Sequence, residues 1–115
     1  VTRQCDLDGR CLPTGAVRDV TIAPGPLGQR TYDDLFDRLA PGAPFVLSGG
    51  GRRIEVHYGE GYDVAVVYAP GHADLVCFEP MTAPTDPFSG RAALRTVAPG
   101  ETFSAAFEIR VGAGG

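Results

Sequence analysis

The segment Leu75-Val76-Cys77-Phe78-Glu79-Pro80-Met81-Thr82 sets a carboxylate at the end of an apolar run. Burial disfavours the charged form of such a group and makes it a stronger proton acceptor near neutral pH, which is what a general base needs. Pro80 holds the residue before it extended, so Glu79 projects from a strand end in one defined direction. The plain alternative is a solvated, strand-terminal glutamate. Asp33 and Asp34 form a second candidate, their plain reading being first-turn carboxylates of a helix. His57 and His72 are the only histidines, and neither sits in a Ser/His/Asp or Cys/His arrangement. Both read as surface residues.

Three cysteines do not make a disulfide framework, and Cys5-x5-Cys11 lacks the close pair that zinc knuckles use. Cys5 to Cys11 reads as a hairpin around Asp8-Gly9, with Leu7 opposite Arg10 and Asp6 opposite Cys11. Asp6 and Asp8 resemble the start of a calcium loop, but the glycine comes two positions early and no bidentate Glu follows at the required distance. No metal is expected. Cys77 reads as a small buried hydrophobe.

Positioning these groups falls to short elements. Ala16 to Ile22 is a β-branched run, and Pro24-Gly25-Pro26-Leu27-Gly28 is a loop. Thr31 as N-cap, with Tyr32, Leu35, Phe36 and Leu39 at helical spacing, predicts at most one short helix near residues 31–39, stopped by Pro41-Gly42. Phe45 to Ser48 is a short strand. Arg52 to Tyr58 alternates, with Ile54, Val56 and Tyr58 on one face and Arg53, Glu55 and His57 on the other. Gly59-Glu60-Gly61 fits a three-residue hairpin loop into a strand from Tyr62 to Tyr68. Asp74 to Glu79 reads as a buried strand and Pro80 to Gly90 as irregular. The last strand, Thr102 to Val111, turns Phe103, Ala105, Phe107, Ile109 and Val111 inward, and Ala93 to Val97 can pair with it across Pro99-Gly100.

The chain of 115 residues suits one domain, and its 16 glycines and 10 prolines fall between apolar runs without a repeat. Short strands broken by such turns indicate an all-β antiparallel sandwich. No apolar run reaches the length of a spanning helix, so no membrane partner is expected, and with no signal segment a cytoplasmic location is the expectation. All ten cations are arginine, yet the net charge is −4 and no basic stripe appears, which argues against nucleic acid. Gly49-Gly50-Gly51 has neither the spacing of a phosphate loop nor a following helix. The first residue is Val and the only methionine is Met81, so an upstream segment is expected.

Leu12-Pro13-Thr14-Gly15, Tyr32-Asp33-Asp34-Leu35-Phe36, Cys77-Phe78-Glu79-Pro80-Met81-Thr82 and Pro99-Gly100-Glu101-Thr102-Phe103 fall in one order along the chain. From about Leu7 to Val111, that order and spacing resemble the C-terminal part of the aldose 1-epimerase (galactose mutarotase) family. The resemblance implies a part of a β-supersandwich whose N-terminal part is absent from this chain. It also implies cofactor-free interconversion of the α and β anomers of free aldoses such as glucose or galactose. Anomerisation requires the C1 hydroxyl to lose its proton while the ring oxygen gains one. By resemblance Glu79 is the base, and Asp33, with Phe36 three residues on, binds a sugar hydroxyl. Asp34 has Asp37 at that position and fits less well. The family's acid is a histidine supplied by the earlier half of the sandwich, and neither His57 nor His72 falls at a matching motif, so the 115 residues alone are expected to be inactive.

Two other readings compete. One is a non-catalytic carbohydrate-binding β-sandwich, although Trp is absent and Tyr58, Tyr62 and Tyr68 read as core and not as a sugar platform. The other is a plain structural or interaction domain, which predicts Glu79 fully solvated and far from Asp33, whereas both carboxylates opening into one groove would speak against it. A part of a larger sandwich also predicts exposed strand edges and an apolar face, covered by the missing half or by a second copy.

Overall fold

The computed structural model describes residues 2–40, 42–90 and 94–114. Its strands are β1 (Thr2–Leu7), β2 (Pro13–Val20), β3 (Tyr32–Asp37), β4 (Phe45–Gly49), β5 (Arg52–Tyr58), β6 (Val64–Ala69), β7 (Cys77–Met81) and β8 (Phe107–Ala113). They form two antiparallel sheets, one ordered β2-β1-β3-β6-β7 and the other β4-β5-β8. The all-β expectation agrees with this architecture. Phe45 of β4 stacks on Phe78 of β7 with centroids 5.1 Å apart and tilts against Tyr58 of β5 at 5.3 Å, so one aromatic cluster joins the sheets. No helix among the described residues is long and apolar enough to cross a membrane.

The short helix expected near residues 31–39 is absent; Tyr32–Asp37 is β3, the central strand of the larger sheet. Two isolated helical turns are marginal, because nucleating a helix fixes several residues for a single hydrogen bond. As a strand, the same residues pair with β1 on one side and along all six positions with β6 on the other. Leu35 and Phe36 are then buried on opposite faces, a pattern that reads as helical spacing in one dimension. Arg38 follows at φ 49°, which ends the strand. The proposed stop at Pro41 lies outside the described residues.

The hairpin drawn from Tyr58 through Gly59-Glu60-Gly61 into the next strand is also not formed. β5 pairs with β4 and β8, whereas β6 starts at Val64 in the other sheet. The cause is the composition of β6. Val64, Ala65, Val67 and Ala69 are buried, so this strand needs cover on both faces and a neighbour on each side, which β3 and β7 supply. Gly61 makes the crossing at φ 97° beneath Phe103, where a Cβ would come within 2.9 Å of the ring.

The turn at Asp8-Gly9 is wider than a two-residue hairpin. Leu7 faces Pro13, not Arg10, and Asp6 does not face Cys11. Asp8 Oδ1 accepts the amides of Arg10 at 2.8 Å and Leu12 at 3.1 Å, so the carboxylate organises a longer loop in which Cys11 takes φ 61°. Pro80 lies within β7, and not in an irregular segment, because β7 is an edge strand and can hold a residue that lacks an amide N–H. The final strand begins only at Phe107. Leu94 to Val97 does not pair with it, and Ala93 lies outside the described residues. Its residues Phe107, Ile109 and Val111, expected inward, are 60%, 58% and 67% exposed, since β8 is the outer strand of the smaller sheet.

Candidate functional site

Side chains alternate along a strand, and directly paired residues share a face. Asp33 pairs with Tyr68, and Tyr68 with Cys77; Leu35 pairs with Val66, and Val66 with Glu79. Asp33, Leu35 and Asp37 of β3 therefore share one sheet face with Val64, Val66 and Tyr68 of β6 and with Cys77, Glu79 and Met81 of β7. Phe78, which stacks on the smaller sheet, points to the opposite face. Asp33 and Glu79 are thus on the face turned away from the aromatic cluster, two strands apart and one residue pair out of line. Standard strand spacings put their Cα atoms about 12 Å apart. Both side chains are exposed, and Cys77 is half-buried. The burial that would make Glu79 a stronger base is not present at this strand end.

Asp33 has a partner that the local sequence does not announce. Cys11 Sγ donates to Asp33 Oδ2 at 3.4 Å, and the anionic acceptor pushes the thiol pKa above its ordinary value. Asp34, on the opposite face, accepts from Gln4 Nε2 at 3.0 Å, which settles it as a structural carboxylate and not a helix-end one. Asp33, Asp34, Cys5, Cys11, Gln4 and Asp8 line an open groove of about 520 Å³ beside the first hairpin. Nothing in the spacing of Cys11 and Asp33 could have shown this contact, because it depends on the five-residue loop that Asp8 organises.

The same face carries an ion pair. Arg3 of β1 lies opposite Asp37 of β3, and its guanidinium grips the carboxylate with both arms, Nε reaching Oδ1 at 2.8 Å. This bond holds the Asp37 carboxyl below the usual aspartate range. Cys5 lies beside it, and its thiol is pushed up chiefly by burial and then by the Asp37 charge.

Neither histidine shares this face. His57 is on the smaller sheet with Nε2 2.6 Å from Glu55 Oε2, and this contact, followed by Arg53, holds Glu55 below the ordinary glutamate range. His72 is exposed in the turn after β6. A second, larger groove of about 890 Å³ opens where the chain crosses between the sheets, lined by Arg38, Tyr58, Glu60, Tyr62, Thr82 and Arg95 among others. Arg95 is fixed there by Asp63 at 2.8 Å and sits 4.6 Å above the Phe103 ring. Glu79 lines neither groove. Among the described residues no group of three or more His, Cys, Asp or Glu side chains could hold a metal ion.

The arrangement offers two solvent-accessible carboxylates on one sheet face, of which Asp33 alone lines a groove. It can accept hydrogen bonds from hydroxyls and take up a proton. Comparison of the chain with models of protein families, with curated proteins and with solved structures returned no match.

Proposed function

We propose that this chain is the C-terminal part of an aldose 1-epimerase, with Glu79 as general base and Asp33 as a ligand to a sugar hydroxyl. The observation that carries the reading is the shared face. The motifs that resemble the family lie on β3 and β7, separated in sequence, and the β3-β6-β7 register brings their two acidic residues to one side of one sheet, both open to solvent. In this reading Glu79 takes the proton of the C1 hydroxyl while a histidine from the earlier half of the parent protein protonates the ring oxygen. The ring opens, C1–C2 rotates, and the hydroxyl re-adds to the other face of the aldehyde as both protons return. No cofactor takes part. The exposure of Glu79 is equally what a plain interaction domain predicts, and activity of a Glu79 variant separates the two readings.

Polarimetry of freshly dissolved α-D-glucose or α-D-galactose, with the longer parent protein, tests the assignment. Glu79→Gln lowers the mutarotation rate by roughly a hundredfold or more, the usual contribution of a positioned base. Because Glu79 is exposed and unburdened by packing, this variant should fold normally, and full activity in it overturns the reading.

One observation favours a second reading, a non-catalytic carbohydrate-binding sandwich. Neither His57 nor His72 shares the face of Asp33 and Glu79, and binding without ring opening needs no acid. Calorimetric binding of an aldose by the parent protein with no change in its rate of anomer exchange selects that alternative.

A further inference from the structure

We propose that β8 pairs edge to edge with β8 of a second copy of this chain, about a two-fold axis through Ile109. Among the described residues, no strand lies on the outer side of β8. The direction of its backbone groups follows from the two bonds that flank it. Ala106 O accepts from Gly59 N at 3.1 Å and Gly114 N donates to Gly51 O at 3.1 Å, both toward the β5 side. Backbone groups alternate sides along a strand. The even-numbered residues therefore bond to β5, and the amide and carbonyl groups of Phe107, Ile109 and Val111 point outward.

Only some registers satisfy that parity, and the side chains select one of them. Antiparallel pairing centred on Ile109 sets Ile109 against Ile109 and Phe107 against Val111 as hydrogen-bonded pairs, giving about six interchain bonds. The intervening positions become the close, non-hydrogen-bonded pairs. There Glu108 faces Arg110 of the second copy, and Arg110 faces its Glu108. Within one chain these two side chains already bond each other at 2.6 Å, and both are 59% exposed. The two-fold would join them into a four-membered network of alternating charge. On the opposite face the exposed Phe107, Ile109 and Val111 rows would meet and shield each other. The other edge of this sheet, β4, is shorter and carries no charged side chain, so it offers no comparable match. The interface is isologous and closes on itself, which limits it to a dimer.

Charge reversal tests the register. By sedimentation equilibrium the chain should dimerise below roughly 100 μM. Glu108→Arg sets arginine against arginine at both pairs and Arg110→Glu sets glutamate against glutamate, so each variant alone should associate roughly tenfold more weakly or worse. An equimolar mixture of the two single variants should recover a heterodimer, because every facing pair in it is again Arg–Glu. Recovery on mixing also shows that the single variants are folded. A wild-type chain that stays monomeric at that concentration, a dimer indifferent to both reversals, or a mixture no tighter than its components overturns the proposal. This inference is independent of the epimerase assignment, which polarimetry addresses separately.

Discussion

Leu35→Ala removes the only large side chain among the described residues that is less than 2% exposed, at the middle of the central strand β3. Its position is held by backbone pairing to Cys5 on one side and to Val66 on the other. Two flanking strands leave the site little freedom to collapse into the space created. Losing three buried carbons costs about 2.4 kcal/mol in transfer free energy. The cavity left behind raises the total to about 3 kcal/mol, within the usual span of ~2–5 kcal/mol for such changes. For a chain of this size that corresponds to a fall in Tm of about 12 °C. Urea unfolding followed by far-ultraviolet circular dichroism measures it, with the dependence on denaturant unchanged because the exposed surface is nearly the same. Val17→Ala on the outer strand β2 is the comparison. Val17 is 46% exposed, so its truncation should cost less than about 1 kcal/mol. If Leu35→Ala costs no more than Val17→Ala, the larger sheet does not centre on β3 and the shared face of Asp33 and Glu79 falls with it.

Two further outcomes follow from the groups around that face. The Asp37 carboxyl is held below its unfolded range by Arg3, so its contribution to stability is present above about pH 5 and is lost as pH falls through its lowered folded value. The stability gap between wild type and Asp37→Asn, read from urea midpoints, should therefore be widest near neutrality and close on acidification; a gap that is constant with pH refutes the ion pair. Asp33→Asn removes the anionic acceptor of the Cys11 thiol and should let that thiol ionise more readily. Site-resolved alkylation by iodoacetamide near pH 8 should then speed up several-fold at Cys11 with no change at Cys77, and an unchanged Cys11 rate would show that the contact does not form in solution.

Much of this molecule is legible from local pattern. The glycine and proline punctuation and the clean alternation of Arg52–Tyr58 point to strands, and β5 spans the residues that alternation predicts. Glu79 and Asp33 stand out by residue type and by the motifs around them. Local pattern fails where neighbours in space decide. Tyr32–Asp37 has helical spacing because a strand covered on both faces buries adjacent residues, here Leu35 and Phe36. The loop at Gly59-Glu60-Gly61 looks like a hairpin, yet β6 leaves for the other sheet because only β3 and β7 can pair with it on both sides while its faces are covered.

The sequence by itself determined the predominantly β character, most of the chain breaks and the identity of the acidic residues, since each depends on side-chain type and spacing within a few positions. Tertiary structure alone decided that Asp33 and Glu79 share a face, that Cys11 reaches Asp33, and that the apolar row of β8 stays exposed. Those outcomes rest on hydrogen bonding between strands far apart in the chain, and a strand's own alternation says which residues share its face but not which strand will lie beside it.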